Sequence, residues 1–354
     1  MSLRYPADRV CIVLLTGLGD VVHGLPVANA LKRDDPRRHL TWVVEPMPGE
    51  VLRHHPAIDE IVVFEKRRGW RGVRDLWRQL RARRFDLTLN LNIYAKSIFP
   101  TLLSGAPHRL GFERARTRDG VWLASNHHLD PRPRWHTQEM FLEFLDHLGL
   151  RDYAVEWRIT FTEEERRAQA EFFGRLDGRR VAALVVASAR AEKDWFADRW
   201  AAVADALERD FGYQVLLVGG PSERERRIAH EIQERSHAQL VPALGEGVRR
   251  IAWTLKGSDL VIAPDTGPLH IARALEVPVI GLFGHTNPLR VGPWQSFAGL
   301  WVDRYHDEGV EPNASEDAGR AGRMERITVD DVLDRVQRAM ARYGGTAPRH
   351  RPGS

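Results

Sequence analysis

Short apolar runs recur along this chain, with stretches of helical spacing between them. Runs at residues 10–15, 40–44, 60–64 and 86–91, and weaker ones at 109–112 and 121–123, make a first series. Runs at 181–187, 214–218, 239–242, 259–263 and 277–283 make a second. Strands this short and this apolar, alternating with helices, specify βαβ units and therefore parallel sheets. Two series predict an α/β chain of two Rossmann-like parallel-sheet domains facing across a cleft. Ligands of such domains lie beyond the carboxyl ends of the strands, at the cleft. The glycines, hydroxyls and charges of this chain cluster there.

A length of 354 residues suits two domains. The pattern divides at about 155, giving domains at 1–155 and 156–328. A helix at 137–148 precedes the hinge, and Thr162 with Glu165 makes a capping box after it. Residues 308–322 read as a loop. A last helix at 329–343, capped by Thr328, is expected to pack back on the first domain, and 344–354 to form a disordered tail. The chain has no run of 18 apolar residues to span a bilayer. Its first apolar run is stopped by Asp20 with no cleavage site behind it, so it reads as a strand and not a signal peptide. The single cysteine, Cys11, fits a reducing cytoplasm. A net charge of +4 is compatible with an anionic partner or simply with an arginine-rich composition.

Four stretches after strands carry chemistry. Thr16-Gly17-Leu18-Gly19-Asp20 turns a strand into a helix start, but Val22 stands where a dinucleotide fingerprint needs its third glycine. Asp20 is then either a charge favoured by the helix dipole or a general base. Ser188, Arg190 and Lys193 form a polar loop that suits phosphate oxygens. After Gly219 and Gly220, Glu223 is placed to accept ribose hydroxyls, or else Ser222 caps a helix and Glu223 lies in its first turn. In Asp265-Thr266-Gly267-Pro268-Leu269-His270, Pro268 pre-sets a helix whose N–H groups suit a diphosphate. Asp265, repelled by that diphosphate, would hold neutral sugar hydroxyls. His270 is placed to donate to phosphate or to pack on Thr266. No Asp-x-Asp, Walker loop or His/Cys pair at ligand spacing occurs, so no metal or other cofactor is expected and the diphosphate charge falls to Lys193, Arg190 and helix N-termini.

The ordered set Leu18-Gly19-Asp20, His23-Gly24-Leu25-Pro26, Lys96-Ser97, Arg109-Leu110-Gly111-Phe112, Lys193-Asp194-Trp195, Asp265-Thr266-Gly267 with His270, and Phe283-Gly284 with Thr286 and Pro288 resembles the ADP-heptose:lipopolysaccharide heptosyltransferases, glycosyltransferase family 9, of GT-B fold. The resemblance implies a metal-independent, inverting glycosyltransferase that moves a sugar, heptose from ADP-heptose, onto a lipopolysaccharide-core or similar lipid-linked acceptor. It implies Asp20 as general base and donor binding by Ser188, Arg190, Lys193, Gly220, Glu223, Leu244, Asp265, Thr266, Gly267 and His270. Gly19, His23, Lys96 and Arg109 fall to the acceptor. A cytoplasmic monomer, peripheral on the inner membrane and without nucleic acid, is the matching expectation. The basic segment 67–85, with Trp70, Val73, Trp77 and Leu80 on one face, either rests on anionic lipid, grips acceptor phosphates or packs on its own sheet. A sugar-nucleotide epimerase of the same fold, or a non-catalytic nucleotide-sugar-binding protein, are the alternatives.

Overall fold

In a computed structural model, which describes residues 4–245 and 247–344, the chain forms two compact units dividing at Thr160/Phe161. The expected boundary at 155 lies five residues before this division, because the extended segment that follows residue 148 belongs to the first unit.

The first unit runs β1 (Arg9–Val13), α1 (Leu18–Asp34), β2 (His39–Val44), α2 (Pro46–Gly49), β3 (Glu60–Val63), α3 (Trp70–Arg81), β4 (Leu87–Asn90), α4 (Ile98–Leu103), β5 (His108–Gly111), β6 (His127–His128) and α5 (Thr137–Leu148). Its six strands are parallel in the order β3-β2-β1-β4-β5-β6. The run at 121–123 is a 3-10 turn instead of a strand. Gly120 enters it at φ 75°, and pairing resumes only at His127. The α1 helix lies close over the sheet: a Cβ on Gly24 would come 2.9 Å from the Trp42 ring of β2. On the core side Cys11, Val13, Val43, Leu76 and Leu80 pack together. Burial pushes the Cys11 thiol up to about 12. The lone cysteine should therefore stay unreacted with a thiol reagent at neutral pH and react fully on unfolding, so that reaction rate against denaturant reads opening of this core.

The buried face of α3 differs from the expected one. Gly72, Leu76 and Leu80, one turn apart, point inward, whereas Trp70 and Trp77 are exposed. Residues 66–68 form a separate 3-10 turn, and Gly69 (φ 54°) breaks it from the helix, resetting the face.

The second unit runs α6 (Glu163–Gly174), β7 (Arg180–Val185), α7 (Ala197–Arg209), β8 (Tyr213–Gly219), α8 (Glu223–Arg235), β9 (Leu240–Leu244), α9 (Val248–Gly257), β10 (Leu260–Pro264), α10 (Gly267–Ala274), β11 (Val279–Phe283), α11 (Pro288–Val291), β12 (Val302–Asp303) and α12 (Val329–Tyr343). Its strands are parallel in the order β12-β11-β10-β7-β8-β9, the same winding as the first sheet. The last helix belongs to the second unit. Val332, Val336 and Ala339 of α12 are buried with Trp195, Trp200 and Val203 in the second unit's own core, and α12 packs on α7, β11 and β12. Its apolar stripe is satisfied there. Thr162, Ser222 and Thr328 open α6, α8 and α12 with reciprocal capping boxes. Of the expected tail at 344–354, Gly344 closes α12, and residues 345–354 lie outside the described residues.

Candidate active site

Each sheet has a switch point where the chain reverses its direction of travel across the strands, between β1 and β4 in the first and between β7 and β10 in the second. Parallel α/β sheets bind ligands at the carboxyl side of this point, where the loops part.

In the first unit, α1 begins directly after β1, with Gly17 as an N-cap that has no side chain to give and Gly19 and Asp20 in the first turn. Across the switch point, Lys96 donates to the carbonyl of Leu15 and to Glu45 Oε1 at 3.0 Å. Glu45, at the end of β2, also receives Lys66 at 2.9 Å. Asn92 ties the strands beneath: its Oδ1 accepts from Leu15 N at 3.0 Å and its Nδ2 donates to Val13 O at 2.7 Å. Asp20 and Lys96 are thus brought to one sheet edge.

The other two acceptor candidates lie elsewhere. His23 is 3% exposed, its Nδ1 3.2 Å from Gln138 Oε1, and it packs α1 on α5. Arg109 sits toward the amino end of β5, with its guanidinium donating to the carbonyls of Ala124 at 3.0 Å and Ala106 at 2.7 Å. Both side chains make hydrogen bonds within the first unit.

In the second unit, the loop after β7 meets the turn after β10. Lys193 Nζ donates to Asp265 Oδ2 at 2.5 Å, and His270 Nε2 stands 3.4 Å from Asp265 Oδ1. Asp265 is 7% exposed. Burial alone would raise its pKa, but the hydrogen bond from His270 and the charge of Lys193 outweigh burial and hold it well below the usual carboxylate range. Both Asp265 oxygens thus face a cation or an imidazole, Lys193 on one side and His270 on the other. Next to it, α10 starts at Gly267 with Pro268 in its first turn, and its N-cap Thr266 makes no side-chain cap. First-turn N–H groups left this way favour an anion.

The β7 loop is braced from within. Ser188 Oγ donates to Arg190 O at 2.5 Å, and Asp194 Oδ1 accepts from Ser188 N at 2.7 Å. Ser188 thus braces its own loop, its hydroxyl donating to the Arg190 carbonyl and accepting from the Arg190 N–H at 3.1 Å. Arg190 is exposed, 3.8 Å from Glu192. At the end of β8, the Gly220 N–H donates to Glu225 Oε1 at 2.7 Å within the Ser222 capping box. Glu223 is the exposed first residue of α8. Leu244 closes β9 against Gly219, where a Cβ would meet it at 3.4 Å. His285, beyond β11, is buried, and burial together with the charges of Arg190 and Lys193 lowers its pKa. Among the described residues no group of three or more His, Cys, Asp or Glu side chains is placed to hold a metal ion.

Sequence reasoning missed Arg224. Its two terminal nitrogens donate to Asp194 and to the Ser188 carbonyl, clamping the loop that presents Lys193. The signal was present: an arginine in the first turn of α8 opposes the helix dipole, so something else had to hold it there. Replacing Arg224 with Ala should raise the KM for the donor about 10-fold, the loss of one charge-assisted pair, with kcat less affected and Arg224→Lys in between. An unchanged KM in steady-state kinetics would make the clamp purely structural.

Two doubly wound sheets of identical order, each with its charged residues at the switch-point edge, define the GT-B class of α/β proteins. Residues 73–316 match the family model for glycosyltransferase family 9 (heptosyltransferase), and the chain belongs to that family. It is 29% identical over 313 residues to the lipopolysaccharide core heptosyltransferase OpsX of Haemophilus influenzae, covering 88% of this chain and 87% of that one. The family 9 glycosyl transferase of Veillonella parvula superposes with a TM-score of 0.79 at 25% identity, covering 97% and 99% of the two chains. The Escherichia coli heptosyltransferase WaaC with ADP gives 0.72 at 22%, covering 96% and 100%. The chain is thus a glycosyltransferase of the heptosyltransferase kind. Among the described residues no helix is long and apolar enough to cross a membrane.

Proposed function

We propose that this glycosyltransferase moves heptose from ADP-heptose onto a lipopolysaccharide-core or similar lipid-linked saccharide, without a metal and with inversion, at the cytoplasmic face of the inner membrane. The second unit takes the nucleotide sugar and the first unit the acceptor. An acceptor oxygen bonds to the anomeric carbon on the face opposite the diphosphate, as the bond from that carbon to the phosphate oxygen breaks. Asp20 takes the hydroxyl proton. Lys193, Arg190 and the α10 N-terminus take up the charge that develops on the departing diphosphate. The observation that carries this reading is Lys193, fixed at 2.5 Å on Asp265 beside a helix start with no side-chain cap. The Haemophilus influenzae relative is named for the lipopolysaccharide core, and the Escherichia coli WaaC structure is a complex with ADP. These two relatives support the choice of acceptor and nucleotide.

A calorimetric panel of ADP, UDP and GDP tests the donor. ADP is expected to bind at least ~10-fold more tightly than UDP, a difference of about 1.4 kcal/mol. A preference for UDP would sink the ADP-heptose assignment.

A further inference from the structure

His285 follows β11 at the carboxyl edge of the second sheet. Pro264 of β10 pairs with Leu282 of β11, so Asp265 and His285 leave the sheet on neighbouring strands. The imidazole is 6% exposed, and neither of its ring nitrogens makes a hydrogen bond among the described residues. Buried polar groups almost always have a partner, so one without asks for a reason. Packing fixes the ring where it is. The loop 308–322 backs onto it so closely that a Cβ on Gly319 would overlap Nε2, and Arg320 N donates to the His285 carbonyl at 3.0 Å. Asn287 ties the same loop down, donating to the carbonyls of Asn313 at 2.8 Å and Glu316 at 3.0 Å.

The charges around the ring are matched in pairs. On the loop and its neighbours, Arg320 reaches Glu316 at 2.8 Å, Arg290 stands 3.7 Å from Asp317, and Arg323 reaches Asp307 at 2.7 Å. On the β7 side, Lys193 is held on Asp265, and Arg190 stands 3.8 Å from Glu192. Burial, then Arg190 and Lys193, lower the pKa of His285 against the weaker pull of Glu192 and the Arg320 backbone. A diphosphate changes this balance. It brings negative charge to two cations that each already share a carboxylate, and a buried neighbouring group feels the excess strongly. His270, the other imidazole of this edge, already faces Asp265 at 3.4 Å. The ring of His285 is uncommitted.

We infer that His285 takes up a proton from solvent as the donor's diphosphate arrives, and that the imidazolium then steadies the charge on that group through binding and departure. The inference rests on the donor reading above and adds to it a cation that exists only while the diphosphate is there.

Calorimetry with ADP tests it in buffers of different ionisation enthalpy, which counts the protons taken up. The wild type is compared with His285→Asn, which keeps a polar group and cannot titrate. At about pH 6.5 the wild type should take up more protons than the variant, by up to about one. Ionisation of ADP itself is common to both and cancels. The value of the free state is lowered and that of the bound state is higher, so the added affinity is full below the free value and is lost as pH rises through the bound one. Over that range the wild type should lose ADP affinity faster than the variant, by up to about 10-fold per pH unit. Should His285→Asn not fold, the wild-type ring can be followed by NMR through its contact with Gly319. It should titrate at higher pH with inorganic diphosphate bound than without, and an unmoved or lower titration would overturn the inference. Equal proton counts in the two proteins, or a loss of affinity in the variant with an unchanged pH profile, would also overturn it and leave the donor reading standing. A chain that binds no ADP at all would overturn the donor reading, and this inference with it.

Discussion

Replacing Lys193 with Ala should lower kcat/KM by about 10²–10³-fold, the effect of removing one preorganised charge from a departing oxyanion. The same change should destabilise the second unit. Asp265 is almost wholly buried, and Lys193 is one of the two groups that hold it ionised. Removing one partner of a buried pair costs roughly 3–5 kcal/mol, because the other charge stays in the protein. The two effects can be separated. Lys193→Met combined with Asp265→Asn removes both charges, so thermal stability should largely return while activity does not. Recovery of both together would make Lys193 a structural residue. The pair also has a defined pH range. Its carboxylate is depressed in the folded state, so the stability it contributes is present above the unfolded carboxylate value of about 3.9 and is lost as pH falls below it, toward the lower folded value. A loss of this stability near neutral pH would contradict the geometry.

Replacing Asp20 with Asn should lower transfer by about 10²–10⁴-fold, the usual worth of a positioned general base. ADP affinity should be unaffected, because Asp20 lies on α1 of the first unit while the proposed donor residues belong to the second unit. The substitution nearly preserves shape and removes only proton affinity, so kcat should fall with the KM for the donor little changed. Turnover within a few-fold of wild type would leave Asp20 as a helix-terminus charge, the other role its position allows.

The strands that the sequence revealed are those buried on both faces, such as β1, β7 and β10, whose apolar runs leave no alternation to misread. The two-residue edge strands β6 and β12 carry no such signal, since their pairing is set by the neighbouring strand. In α3 the apolar face left two readings open: Leu80 is buried and Val73 packs on the core, while Trp70 and Trp77 are exposed and the buried stripe is set by Gly72, Leu76 and Leu80. At the site, residue type was legible but partnership was not. Lys193, Asp265 and His270 could be named from their positions after strands. That Asp265 would be filled by the other two depends on a contact across 72 residues, and Arg224 joins its loop across 30. Arg109 and His23 were read by their place in a motif, and their hydrogen bonds show them bound into the fold.

Helix beginnings in this molecule divide by what they are left to do. Those of α6, α8 and α12 are closed by Thr162, Ser222 and Thr328, while α1, α3, α4, α7, α9 and α10 have no cap from their N-cap side chain, and of these α1 and α10 follow the switch-point strands β1 and β10. A serine at residue 17 would gain only a few tenths of a kcal/mol over glycine, and it would occupy donors that the proposed mechanism leaves for the substrates. Selection for heat resistance in this family of shapes should therefore find its gains at the flanks and leave these two starts bare.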